Sequence, residues 1–207
     1  MNIAVLIPIY KTMDAPCVQS LLNMQGNLHN AGHRLRFYFA NGFNAARARV
    51  GLAREAVQDE KFEADFFLWL DSDHVYDAVA FINLVNAMEL NNIPMLSAAY
   101  KLRGTEETVH GITPEGGKFR HFHYKEFQDL KEGELVECDV VGFGFLVMRA
   151  SFLQDMWKKH GEDLFKMDIG MNGTEDVAFC QHMKKEGQKV YFHPRIRIGH
   201  MELAVRI

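Results

Sequence analysis

Two aspartates, Asp71 and Asp73, follow the apolar run Phe66–Leu70 and stand two residues apart. Two hard oxygen donors at the mouth of a buried strand suit a divalent cation, and such a cation suits phosphates. Held with open positions, it bridges two phosphates and neutralises a diphosphate leaving group as a Lewis acid. A plainer account makes Asp71, Ser72 or Asp73 the cap of a helix beginning near Val75. One cap needs only one side chain, so that account leaves a carboxylate unexplained.

Other candidates lie along the chain. Glu175 and Asp176 follow Gly173-Thr174 at a helix start. Acidic residues in a first turn suit the helix dipole, with Thr174 as cap, or one of them is a general base for an acceptor hydroxyl. His200 ends the last strand. It is either a hydrogen-bonded structural residue or the imidazole that completes a mixed oxygen/nitrogen site for Mn²⁺. Arg47, Arg49 and Arg54 share one helix. Positions two apart do not share a face, so at most one of Arg47 and Arg49 aims at a nucleotide, and Arg47 is favoured as nearer the helix start. In Gly142-Phe143-Gly144-Phe145, two glycines inside an apolar run indicate a bulge or a close backbone approach. His121 and His123 read as surface or acceptor-loop residues. No G-x-x-x-x-G-K-[ST] and no G-x-G-x-x-G follows the first strand, which argues against P-loop and dinucleotide-binding readings.

The elements that must position these residues alternate. Asn2–Ile9 reads as a buried strand closed by Pro8, then a helix opens at Asp14/Pro16 and ends at Gly32. Arg34–Ala40 is a second strand, and a helix runs from Asn44 to about Lys61. Phe66–Leu70 is apolar on both faces, as a central parallel strand covered by helices must be. A helix over about Val75–Leu90 and a strand at Met95–Tyr100 complete βαβαβαβ, which predicts an α/β fold with a doubly wound, mostly parallel sheet flanked by helices. Ligands bind beyond the carboxyl ends of such strands. The polar segment 101–134, with Pro114 and Gly116-Gly117 as a turn, predicts a small antiparallel excursion over the open edge. Leu135–Arg149 returns as one or two strands, followed by a helix to about His160, a loop over 161–173, a helix from Thr174 to Gly187, and short strands at Lys189–Phe192 and Ile196–Ile198.

With 207 residues, 48% of them apolar, the chain reads as a single domain, 1–207, with one core. A net charge of −4 announces neither nucleic acid nor an anionic membrane as partner. Cys17, Cys138 and Cys180 are odd in number and far apart, so they predict buried thiols in a reducing compartment, not a disulfide framework. The first apolar run is too short to cross a membrane or serve as a signal. The expectation is a soluble, cytoplasmic protein.

Taken together, these segments resemble the nucleotide-sugar glycosyltransferases of the GT-A fold, family 2-like, especially the compact members of phages and large DNA viruses. The matching stretches are VLIPIY at 5–10, ARAR at 46–49, FLWLDSD at 67–73, SAAYK at 97–101, VVGFGFLVMRASF at 140–152, and TEDVAFCQHMKKEGQKVYFHPRIRIGH at 174–200. The resemblance implies a metal-dependent transfer of a sugar from a nucleotide-diphosphate donor, UDP-sugar before GDP-sugar, to a hydroxyl of a glycan or other acceptor, with inversion. Pro8 and Tyr10 would line the base pocket, and Arg47, Asp71, Ser72 and Asp73 would meet the donor. Asp71 would meet the ribose or a metal-bound water, Asp73 would hold Mn²⁺ or Mg²⁺ directly, and His200 would add a ligand. Gly142, Phe143, Gly144 and Glu175 would shape the acceptor or sugar pocket, and Asp176 would be the catalytic base. Two positions depart from the family pattern: Val50, where Asn is frequent after the Arg-x-Arg, and Lys101, where Pro often follows the tyrosine.

Two rivals compete. In a haloacid-dehalogenase-type phosphatase Asp71 would be the nucleophile and Asp73 the acid/base, although that motif normally ends the first strand and here two βα units precede it. A non-catalytic nucleotide-sugar-binding module would keep the fold without turnover.

Overall fold

The computed structural model describes residues 1–42, 44–102, 108–115, 118–166 and 174–201, with side chains omitted at 108–110, 112–115 and 118–119. In chain order the elements are β1 (Asn2–Ile9), α1 (Ala15–Asn30), β2 (Arg34–Asn41), α2 (Ala45–Val57), β3 (Phe66–Leu70), β4 (His74–Val75) and α3 (Ala78–Asn91). They continue as β5 (Met95–Tyr100), β6 (Thr108–Glu115), β7 (Lys118–His123), β8 (Val136–Cys138), β9 (Val140–Val141), β10 (Phe145–Arg149), α4 (Ala150–His160), α5 (Glu175–Lys185) and β11 (Val190–His200). The main sheet has the order β2-β1-β3-β10-β5-β11-β4, with β8 paired to β11. β2, β1, β3, β5 and β11 run in one direction and β10 runs against its neighbours β3 and β5. The sheet is thus mostly parallel, as its sequence pattern requires.

β3 is buried along its whole length. Phe66, Leu68 and Leu70 face the cluster built with α1 and α3, while Phe67 and Trp69 face the one built with α2, α4 and α5. That two-sided burial is why the segment has no polar alternation. The reversed β10 has a positional consequence: an antiparallel strand begins where its parallel neighbours end. Gly142-Phe143-Gly144 therefore arrives at the carboxyl ends of β3 and β5. The excursion forms as a small sheet, β7-β6-β9, with its expected turn residues 116–117 outside the described residues.

Several boundaries differ from the sequence expectation. α3 begins at Ala78, and its cap is Asp77, whose carboxylate accepts from the Val79 N–H. His74-Val75 instead pairs with the end of β11. Neither Asp71 nor Asp73 caps a helix. The two short final strands are one strand with a bulge between His193 and Arg197. Pro194 donates no N–H, and the His193 Nδ1 accepts from the Arg195 and Ile196 N–H groups at 3.2 and 3.3 Å, so the strand deviates without ending. Thr174 occupies the cap position of α5 but makes no capping bond with its side chain. The three cysteines are buried and form no disulfide.

Leu68 is fully buried on the central strand, so Leu68→Ala should cost about 2–5 kcal/mol. A urea titration should show a lower midpoint at unchanged slope. Leu90→Ala, at a side chain that is 87% exposed, should shift stability by less than about 0.5 kcal/mol.

Candidate functional site

Three parallel strands end at one place. β1 delivers Pro8 and Tyr10, β3 delivers Asp71, Ser72 and Asp73, and β11 delivers His200. Beside the first two lies a cleft of about 200 Å³, completed by Gly42, the first turns of α2 and Glu175 from the start of α5. The acidic turn is fixed by its own backbone. The Asp71 N–H donates to the Gly144 carbonyl at 3.1 Å, the Tyr76 hydroxyl donates to the Asp71 carbonyl, and the Met201 N–H donates to the Asp73 carbonyl at 2.8 Å. Residues next to β10, β4 and β11 thus hold it.

The arginine that reaches the cleft is Arg49, not Arg47. Arg47 lies in the first turn of α2 on its exposed side, its N–H capped by the Asn44 side chain at 2.9 Å. Two residues on, the helix has turned inward, and Arg49 is 4% exposed. Its Nη2 donates to Asp71 Oδ1 at 2.8 Å and its Nε to Glu175 Oε1 at 2.9 Å. The guanidinium also stands 5.0 Å from the Phe143 ring and 5.5 Å from that of Trp69, within cation–π range. Burial opposes its charge, but Asp71 and Glu175 outweigh burial and hold it firmly protonated.

A second group sits on the other side of Asp71. Among the described residues Asp73, His74 and His200 are the group whose ligand atoms converge, all within 4.8 Å of one another. His200 Nδ1 lies 2.8 Å from the Lys101 carbonyl and its Nε2 lies 3.4 Å from Asp73 Oδ2. His74 is 1% exposed, stacks on His200 at 4.4 Å with the rings 8° apart, and meets Tyr100 edge-on at 4.6 Å. Its Nδ1 is 2.9 Å from Asp73 Oδ1, without the alignment of a hydrogen bond. Burial pushes the Asp73 carboxyl up, but the imidazoles of His200 and His74 outweigh it and hold the group well below the usual carboxylate range. Asp71, paired with Arg49, stands outside this group. His74 was missed in the sequence, where a helix was expected to begin just after it, near Val75; the signal available was its position directly after the acidic pair.

The remaining residues divide between cleft and support. Glu175 lines the cleft, while Asp176 is buried beside it, bonded to the Thr174 hydroxyl and to the Val177 N–H. Burial, reinforced by Glu175, pushes the Asp176 carboxyl up to about 6. Phe143 does not line the cleft. It is 1% exposed and packs edge-on against Phe179, with Trp69 and Phe165 around it, so it floors the site from the core. The Gly142 carbonyl accepts from Ser97, and Gly144 lies against His74, where an added Cβ would stand 2.7 Å from the ring. Here glycine is required by close approach. His121 and His123 lie in β7 of the excursion and do not line the cleft.

No protein-family model matches the chain, and no curated protein matches it. Solved structures do. A197 from STIV aligns with a TM-score of 0.57 at 16% identity, covering 93% of this chain and 82% of that one. GalNAc-T7, solved with UDP, GalNAc and Mn²⁺, aligns with a TM-score of 0.62 at 10% identity, covering 98% of this chain but 44% of its own length. At such identities the likeness shows the fold alone, an α/β arrangement of the GT-A type.

The elevated Asp176 carboxyl has a consequence for stability. Raised from 3.8 to about 6 in the folded chain, it favours folding fully below about pH 4, and that contribution is lost as pH rises through 6. Asp176→Asn should therefore leave stability nearly unchanged at pH 4 and raise it by about 1–3 kcal/mol at pH 8. Urea midpoints of both proteins at the two pH values check this.

Proposed function

We propose that this chain is a metal-dependent glycosyltransferase, a single domain over 1–207. In this reading it moves a sugar from a nucleotide-diphosphate donor, UDP-sugar in preference to GDP-sugar, to a hydroxyl of a glycan or other acceptor. The observation that carries the reading is the junction of a carboxylate–imidazole group, Asp73 with His200, and a cleft floored by a buried guanidinium at the carboxyl ends of parallel strands. GalNAc-T7 was solved with UDP and Mn²⁺ and shares this fold, which supports the donor and cation classes. The donor set fits such an ion: a carboxylate held ionised, with the His200 imidazole beside it.

Pro8 and Tyr10 would bracket the base and Ser72 would meet the donor between the two aspartates. Mn²⁺ or Mg²⁺, when bound at Asp73 and His200, supplies Lewis-acid stabilisation of the leaving diphosphate. Arg49 keeps positive charge at the floor of the cleft, where charge develops on the departing group, and holds Asp71 toward the ribose side. The rise of the Asp176 carboxyl to about 6 suits a general base at neutral pH, taking the proton of the acceptor hydroxyl as that oxygen attacks the sugar carbon with inversion. Glu175 would border the acceptor pocket. The phosphatase alternative loses support because Asp71, its required nucleophile, has a carboxylate oxygen engaged by Arg49 at 2.8 Å.

The test is a diphosphate-release assay with the donor that binds, alongside calorimetry of donor binding. Asp176→Asn should keep the donor Kd within about twofold and lose roughly 10²–10⁴ in turnover. Turnover near that of the unaltered protein would remove Asp176 from the chemistry.

A further inference from the structure

We infer that Thr174 is a positioning residue for Asp176: its hydroxyl, with the Val177 N–H, occupies carboxylate oxygen Oδ1 and leaves Oδ2 to take the acceptor's proton. The inference rests on Asp176 as the general base of the reading above and adds to it the residue that governs that base. Three observations carry it. First, both donors meet the same oxygen. The Val177 N–H donates to Asp176 Oδ1 at 2.9 Å, and the Thr174 hydroxyl donates to Oδ1 as well. A carboxylate oxygen offers two lone pairs, so Oδ1 is filled. Among the described residues Oδ2 accepts no hydrogen bond. A backbone N–H only donates, so Oδ1 stays an acceptor whether or not the group carries a proton, and proton uptake falls to Oδ2.

Second, Thr174 gives up an ordinary role for this one. It stands at the cap position of α5, where a threonine hydroxyl normally accepts from an N–H of the first turn. Here the side chain makes no capping bond, and Asp176 takes the Val177 N–H in its place. Third, the backbone holds the hydroxyl beside the carboxylate. The Thr174 carbonyl accepts from the Ala178 N–H at 3.2 Å, and Glu175, between the two residues, is held by Arg49. The charged neighbours then act on one proton in opposite senses. Burial, reinforced by Glu175, favours the protonated carboxyl, while the Thr174 hydroxyl, Arg49 and the Val177 N–H favour the carboxylate. Tyr100 of β5 and Cys180 of α5 also face the group, and burial pushes both up, so they stay neutral near pH 6. As the acceptor oxygen bonds to the sugar carbon, its proton passes to Oδ2 and the bonding pair of the breaking bond leaves with the diphosphate. Thr174 keeps Asp176 ready for that proton at a pH where burial would otherwise fill the site.

The experiment replaces Thr174 in the whole chain and reads two quantities. The Asp176 carboxyl is titrated by carbon-13 NMR without ligand, its signal assigned by its loss in Asp176→Asn. The pH dependence of kcat is measured with Mn²⁺ as diphosphate release from UDP-glucose, UDP-galactose, their N-acetyl forms and GDP-mannose. Thr174→Val keeps the side-chain shape and removes the hydroxyl. It should raise the carboxyl midpoint from about 6 by about one pH unit. The acid limb of kcat should move with it, a loss of about tenfold at pH values below the limb, while the donor Kd stays within about twofold. Thr174→Ser should restore both quantities, and Thr174→Ala repeats the test should the valine variant fold poorly. An unmoved midpoint in the hydroxyl-free variants, or a serine variant that stays shifted, would overturn the inference and leave Asp176 as the base. A kcat limb that does not follow the Asp176 midpoint in the unaltered protein, or no diphosphate released from any of these donors, would remove the reading beneath it.

Discussion

The site depends on one buried cation. Arg49 joins the end of β3 to the start of α5 by holding Asp71 with one nitrogen and Glu175 with another. Burying a guanidinium costs several kcal/mol, and removing one partner of such a pair strands a charge, so the arrangement is stable only as a set. Two carboxylates and the faces of Trp69 and Phe143 offset the cost together. The helix that carries Asp176 is thereby tied to the strand that carries Asp73, although the two lie more than a hundred residues apart in sequence. The floor of the cleft between them is this ion-pair set.

The second constraint is directional. β10 runs against the sheet, and this brings a glycine-bearing turn to the end where the parallel strands stop. Gly144 there does two things: its carbonyl holds the Asp71 N–H, and its lack of a Cβ admits the His74 ring. β11 reaches the same end by absorbing Pro194 in a bulge, which returns His200 to the site. Asp73 and His200 are therefore neighbours for reasons of topology.

Much of this was legible in the sequence. The unbroken apolar run of Phe66–Leu70 identified the central strand because burial on both faces removes alternation, and the aspartates after it marked the carboxyl end where such sheets bind ligands. Asp73 and His200, picked out separately, come within 3.4 Å. Other features depend on three-dimensional placement that spacing does not encode. Which of Arg47 and Arg49 points inward depends on where α2 starts and how it lies on the sheet, and nearness to the helix start pointed to the exposed one. Phe143 belongs to the core beneath the cleft, a distinction that a Gly-Phe-Gly-Phe string does not carry. The helix expected from about Val75 starts at Ala78 with Asp77 as its cap, and the pairing of His74 with β11 is a tertiary contact. The last strand read as two short ones because the imidazole that stabilises its bulge acts through tertiary geometry.

The proposed function requires this cleft to bind a nucleoside diphosphate through a divalent cation. Calorimetric and thermal titration of UDP, GDP, CDP and ADP, each with Mn²⁺ and again with EDTA, tests it most directly. One of the four, UDP first, should bind in Mn²⁺ and be released by EDTA, with a stabilisation of about 2.7 kcal/mol at a hundred times its Kd. Failure of all four to bind in the presence of Mn²⁺ would contradict it.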